Sequence, residues 1–334
     1  MRAWQLAQFG LANLESVTRG APAPGPHDVL VRVAAVALNY RDLVVAAGSF
    51  LPDLRMPFTP CSDAAGVVEA VGANVTRFRV GDRVTTVYRQ RWRDGVPGPE
   101  EMGISLGGPL EGVLAEQIAL PEQGLVATPA HLSDIEAATL PIAGLTAWFA
   151  LVEDGPLRPG EALVVQGTGG VSLMAAQMGA AMGARVIATS SSDAKLARLQ
   201  AIVSCDGINY THAPEWQKQV LTLTHGLGAE HILEVVGGTN LARSIEALAI
   251  GGHIQLVGFL GAPTAELPIT ALMRKRGRIQ GAWVGHRRAQ EDMTRFLEAH
   301  GIHPVVDAAY PFERAREAFA HVARGAFGKV VITI

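Results

Sequence analysis

The chain has 334 residues, 49% of them hydrophobic and 18% charged, with a formal net charge of −3. That length suffices for about two domains with their own cores, and the apolar content excludes a disordered chain. The slight acidity offers no basic surface for nucleic acid or an anionic membrane, and two cysteines, Cys61 and Cys205, are too few for a disulfide framework or a cysteine-rich zinc site.

The opening MRAWQLAQFG has no basic-then-apolar leader. The apolar stretch 163–189 is interrupted by Gln166, Gln177 and Arg185, so no membrane span and a cytoplasmic location are expected. From the start to about residue 125 the chain consists of short alternating or apolar runs: DVLVRVAAVAL, GVVEAVG, DRVTTVY and GVLAEQIAL. Pro, Gly, Asn and Asp punctuate them, which predicts a β-rich module. Residues 89–112 form a long Gly- and Pro-rich loop, a length usually reserved for function or mobility.

Strands and helices alternate thereafter. EALVVQG, ARVIATS, HILEVVG and GHIQLVGF predict strands; GGVSLMAAQMGAAMG, DAKLARLQAI and TNLARSIEALA predict the helices between them. Continuous apolar strands are buried on both faces, as in a parallel sheet, so the second part is a doubly wound α/β domain. The boundaries read as 1–122, completed by 286–334, for the first domain, and 123–285 for the second.

Gly167, Gly169 and Ser172 form G-x-G-x-x-S between a predicted strand and helix. The first glycine permits a tight turn and the second lets backbone approach a pyrophosphate. The third position needs a small residue for helix packing. Gly170 and Val171 open the helix whose amides would face the phosphates. An ordinary glycine-rich turn is the competing reading. The next strand ends in Ser190, Ser191 and Ser192, with Lys195 following, where NAD sites carry an acid. Hydroxyls and an ammonium suit a 2′-phosphate, which favours NADP(H) over NAD(H). Serine and aspartate are also good N-caps for AKLARL, and the two roles are compatible.

With these segments on the page, the chain resembles a medium-chain dehydrogenase/reductase along nearly its whole length. The likeness rests on ALNYRDL (37–43), DAAGVVEAVGANVTRFRVGDRV (63–84), ATLPIAGLTAW (138–148), VVQGTGGVS (164–172) and GKVVITI (328–334). Within that superfamily it looks most like the zinc-independent, quinone-oxidoreductase-like alcohol dehydrogenase homologues. The resemblance implies a GroES-like β-rich catalytic domain, a Rossmann domain, and a return of the chain to the first domain.

It also implies residue roles. Thr146 would lie under the nicotinamide, and the backbone at Gly258–Phe259 and Trp283–Val284 beside its carboxamide. Tyr210 and Lys195 would flank the 2′-phosphate, and Lys329 would reach the phosphates. Asn39 and Tyr40 would stand near the cofactor, with Ser62 and Asp63 opposite. Tyr40 is the candidate proton donor, packing being its alternative; Trp92 is either substrate wall or packing staple. Zinc-dependent members carry ligands at positions that here hold Asn39, Ser62 with Asp63, and Ile142, and a catalytic zinc needs three ligands, so no metal is expected. His300 and His303 are separated by Gly301 and followed by Pro304, which speaks against a shared helical face.

The expected activity is hydride transfer between nicotinamide and a quinone, an α,β-unsaturated carbonyl, or an aldehyde/alcohol pair. The alternative is a non-catalytic NADPH-binding protein, crystallin-like or regulatory. A small carbonyl, quinone or alcohol is the expected partner, and late sheet strands are expected to pair two copies into a homodimer.

Overall fold

Alternation in the first third becomes strands β1 (Arg2–Leu6), β2 (Leu14–Thr18) and β3 (Asp28–Ala37). Then come helix α1 (Tyr40–Ala46), β4 (Asp63–Val71), β5 (Arg83–Thr86), helix α2 (Pro99–Gly103), β6 (Gln117–Pro121), β7 (Leu125–Ala127) and α3 (Asp134–Ala137). A further helix, α4, covers Leu145–Trp148. The alternating region that follows is β8 (Ala162–Gln166), α5 (Gly170–Ala181), β9 (Arg185–Ser190), α6 (Asp193–Gln200), β10 (Asp206–Asn209) and α7 (Trp216–Leu223). It continues through β11 (Ala229–Glu234), α8 (Asn240–Ala247), β12 (Leu248–Leu256), α9 (Ile269–Lys275) and β13 (Arg278–Gly281). The chain closes with α10 (Arg287–His300), β14 (Val306–Pro311), α11 (Ala315–Arg324) and β15 (Lys329–Thr333). This computed structural model covers residues 1–334.

One unit comprises Met1–Leu145 and Val284–Ile334, the other Thr146–Trp283. The expected break at 122/123 therefore moves to 145/146. Its cause is β7, which pairs antiparallel with β5 and so belongs to the first unit's sheet. The return of the chain to that unit begins at Val284, two residues before the expected 286.

In the first unit the strand order is β14-β15-β3-β4-β5-β7, with β6 also pairing β3. Val29, Val31 and Val33 alternate along β3 into a core shared with Val68, Leu114, Phe319 and Ile332. The register puts Asp63 of β4 opposite Ala37 of β3, and Val331 of β15 opposite Ala37 on the other side. Three strand ends thus meet where β3 runs into Asn39.

In the second unit the order is β10-β9-β8-β11-β12-β13, every pair parallel. This is the doubly wound order 3-2-1-4-5-6, whose switch point falls between β8 and β11. All five residues of β8 are buried, as expected of a central strand covered on both faces. No helix is long and apolar enough to cross a membrane.

Candidate functional site

In the second unit, β8 runs straight into the glycine turn. Gly167 has φ +72°, and its amide donates to Thr189 O at 2.7 Å. Gly169 is the N-cap of α5, and Ser172 is buried with its hydroxyl donating to Gln166 O at 2.7 Å. A Cβ added at Gly167 or Gly169 would meet no protein atom within 4 Å. The turn therefore faces open space, at the amino end of a twelve-residue helix. This cradle fits a pyrophosphate, which would take backbone amides and the helix dipole as its partners.

Beneath it lies a network that the sequence reading did not single out. Gln166 and Glu234 end β8 and β11 and are fully buried. Gln166 Nε2 donates to Glu234 Oε2 at 3.0 Å and to Ser244 Oγ at 2.9 Å. Asn240 Nδ2 donates to both Glu234 oxygens, at 3.1 and 3.0 Å. The amides of Val236 and Gly237 each donate to Oε1 at 2.9 Å, and Ser244 Oγ donates to Oε2 at 2.5 Å. The available signal was a polar residue closing each of two otherwise apolar runs, ALVVQ and HILE.

At the end of β9, Ser190 is buried, and its hydroxyl accepts from Ser192 N at 3.2 Å. Ser192 Oγ accepts from Lys195 N at 3.3 Å, so the helix-cap role exists. Tyr210 N donates to Ser190 O at 3.0 Å, and the Tyr210 side chain is exposed. Ser191 is also exposed. An acid stands nearby after all: Asp193 Oδ1 accepts from Asn209 Nδ2 at 2.8 Å and Oδ2 lies 3.7 Å from His212 Nδ1. It sits three residues beyond the strand's last residue, in the first turn of α6, where the sequence marks it as a helix-capping residue. Elsewhere in this unit, Thr146 is buried, Phe259 and Trp283 are exposed, and a Cβ at Gly258 would strike Val235 O at 2.7 Å. Val284, the first residue of the returning segment, has φ +69°, a strained conformation for a β-branched residue.

Residues 25–130 match the alcohol dehydrogenase GroES-like domain family and residues 170–299 the zinc-binding dehydrogenase family. A provisionally named alcohol dehydrogenase from Sinorhizobium meliloti 1021 is 46% identical, with TM-score 0.95 over 100% of this chain and 98% of its own. A zinc-type alcohol dehydrogenase-like protein from Schizosaccharomyces pombe is 38% identical over 92% of this chain and 91% of its own. The chain belongs to the medium-chain dehydrogenase/reductase family. An NAD-dependent alcohol dehydrogenase structure is also similar, 35% identical with TM-score 0.90 over 100% of both chains. Quinone oxidoreductases stand among the relatives at 26% to 29% identity. This medium-chain dehydrogenase/reductase is accordingly an oxidoreductase, with GroES-like and Rossmann domains.

Its first unit holds Asn39, Ser62, Asp63 and Ile142, the positions expected to correspond to the ligands of zinc-dependent members. Asp63 brings three of them together: its Oδ1 accepts from Ser62 Oγ at 2.6 Å and its Oδ2 from Ile142 N at 3.1 Å. The Asn39 amide leans toward the same carboxyl and helps hold its charge, although Nδ2 reaches no acceptor in hydrogen-bond geometry. Burial is the dominant influence on Asp63 and pushes its pKa up. One carboxylate, one amide, one hydroxyl and an isoleucine do not fit a zinc ion, and no group of three or more His, Cys, Asp or Glu anywhere in the structure is arranged to hold a metal. His303 instead meets Glu136 at 2.7 Å, and His300 lies against Phe296.

Lys329 is buried, and its Nζ donates to Leu38 O and Asn39 Oδ1, both at 2.6 Å. The pairing of β15 with β3 draws it inward, where burial lowers its pKa against the raising influence of Asp63 and Asp42. The long loop 89–112 is not loose. Arg41 holds the carbonyls of Gly107 and Gly108 at 2.8 and 2.7 Å, and Asp94 pairs with Arg288 at 2.7 Å. Trp92 is buried, donates to Gly95 O at 2.8 Å and meets the His286 ring edge-on, which makes it a packing staple. Tyr40, by contrast, begins α1 with its side chain exposed.

Proposed function

We propose that this oxidoreductase is NADP(H)-dependent and zinc-independent, transferring hydride between nicotinamide and a quinone, an α,β-unsaturated carbonyl, or an aldehyde/alcohol pair. The observation that carries the reading is the open glycine turn on α5, where both glycine Cβ positions are free of protein atoms. Gly167, Gly169, Gly170 and Val171 would hold the pyrophosphate, with Thr146, Gly258, Phe259, Trp283 and Val284 toward the nicotinamide. A bound nicotinamide would supply or accept the hydride. Lys195, Tyr210 and Ser191 at the β9 edge would take the 2′-phosphate, with Ser190 shaping the bend. Asp193 beside them accepts from Asn209 Nδ2 at 2.8 Å.

Without a Lewis acid, a substrate oxygen would need a hydrogen-bond donor, and the exposed Tyr40 phenol is the candidate. Asn39, Ser62 and Asp63 form the polar base on which α1 starts. Cytoplasmic location and a homodimer belong to the same proposal. β13 is the edge of its sheet, and Phe259, Leu260, Ile269 and Met273 expose apolar surface in the same stretch of chain.

The test follows NADPH and NADH oxidation with a panel of quinones, enones and aldehydes, alongside elemental analysis and light scattering. NADPH turnover by zinc-free dimers is expected. Tight NADPH binding without turnover on any of the panel would favour the non-catalytic alternative. A stoichiometric zinc, or preference for NADH, would overturn the metal or cofactor part.

A further inference from the structure

The place where zinc-dependent relatives keep a metal is not left without a cation. Asn39, Ser62, Asp63 and Ile142 converge at one end of β3, and Lys329 enters among them from β15. Its Nζ donates to Asn39 Oδ1 and Leu38 O, both at 2.6 Å; burial lowers its pKa, and Asp63, Asp42 and Cys61 act against that lowering. Asp42 adds a second buried carboxyl, accepting from Asn39 N at 2.8 Å. Because Lys329 binds the amide oxygen, the Asn39 side chain has a fixed sense: oxygen toward the ammonium, nitrogen toward Asp63.

We propose that Lys329 is the resident cation of this centre, taking the electrostatic place of a metal and acting as the positioning residue that fixes Asn39 and, through it, the start of α1 carrying Tyr40. The ammonium offsets buried carboxylate charge, and its hydrogen bonds tie β15 to the end of β3. The assignment rests on the zinc-independent reading for its functional meaning. Its electrostatic content is testable on the apoprotein.

A double-mutant cycle between Lys329→Met and Asp63→Asn provides that test. Leaving one member of a buried pair uncompensated is strongly destabilising, so Lys329→Met should melt about 10 °C below wild type. Adding Asp63→Asn should recover at least about half of that loss, as expected for coupled neighbours. Equal melting of Lys329→Met and wild type, or strictly additive effects of the two substitutions, would overturn the proposal. If Lys329→Met does not fold, the double variant and Lys329→Arg remain to be compared: Arg should preserve the fold and most of kcat by retaining the charge.

A second arm uses Lys329→Ala with ethylammonium. A small primary amine should restore NADPH-dependent turnover by about tenfold, through kcat rather than KM for NADPH, and raise the melting temperature, whereas tetramethylammonium at equal ionic strength should do neither. Equal rescue by both salts would overturn the proposal. Should wild type prove inactive with NADPH, the functional reading falls, while the melting cycle and the amine-dependent thermal shift still decide the role of Lys329.

Discussion

Each unit buries a carboxyl at the end of a central strand, and the two are held differently. Asp63 accepts from only two neutral donors, Ser62 Oγ and Ile142 N, and a lysine's charge opposes the burial that raises its pKa; Glu234 is surrounded by neutral donors alone, from Gln166, Asn240, Ser244 and two backbone amides. A charge partner acts over several ångströms and tolerates small displacements. A nest of hydrogen bonds works only if every donor stays in register. The difference teaches what each unit requires: in the first, opposite charge binds the chain's returning segment, and in the second, rigid geometry holds the turn that must meet a ligand.

The comparison breaks most visibly at Glu234. Alanine there would leave buried donors on Gln166, Asn240 and Ser244 without their acceptor, and unfolding free energy should fall by about 3–5 kcal/mol. Glutamine should restore only part, since its Nε2 would face other donors. Denaturant unfolding checks both, and a near-wild-type alanine variant would mean that water substitutes for the carboxylate.

The next effect lies in the first unit and depends on pH. Burial raises the Asp42 pKa from 3.8 to about 6, against the lowering influence of Arg41 and the Asn39 amide. The native state thus holds this proton more tightly than the unfolded chain. The associated stability is full below the unfolded value of 3.8 and is lost as pH rises through about 6. The swing is about 3 kcal/mol. Asp42→Asn cannot titrate and should gain on wild type across that window, in melting temperatures measured on both sides of it. Parallel profiles would show that Asp42 does not titrate in the window.

Gly169→Val separates the turn from the nest below it. The open space around its Cβ predicts an unchanged melting temperature, with NADPH affinity lowered about 10- to 100-fold by the bulk placed in the cradle. Unaltered affinity would make the turn a turn only. The smallest expected change is at the β9 edge. Lys195→Ala should weaken NADPH about tenfold and leave NADH unmoved, and Ser190→Asp should shift preference further toward NADH. Equal losses for both cofactors would reduce the serines to a helix cap, with Asp193 as the better ribose partner.

What could be read from the sequence follows the same division. The longer Rossmann strands are local apolar runs and were legible, as was the glycine turn, whereas β10, with the sequence DGIN, offers no apolar run and their order in the sheet is not a local property. β7 was assigned to the wrong domain because three residues carry no record of the strand they pair with. The surroundings of Lys329 were hidden for a related reason: its hydrogen-bond partner Asn39 lies 290 positions away in sequence. Glu234 and Gln166 were visible as polar closures of apolar strands, yet nothing local says that they meet. Trp92 is ambiguous in sequence because the ring that packs against it, His286, lies on the returning segment.

The discontinuity of the first unit has a bearing on its birth. Lys329 and Asn39 are 290 residues apart. At ribosomal speeds of roughly 5–20 residues per second, about 15 to 60 s pass between synthesis of the two. During that interval the nascent β3–β4 pair waits with its carboxyls uncompensated. The second unit, drawn from one continuous segment, has everything it needs as soon as β13 has emerged. Maturation of the enzyme should therefore end with the docking of β15, and the newly made protein is most open to proteolysis just before Lys329 arrives.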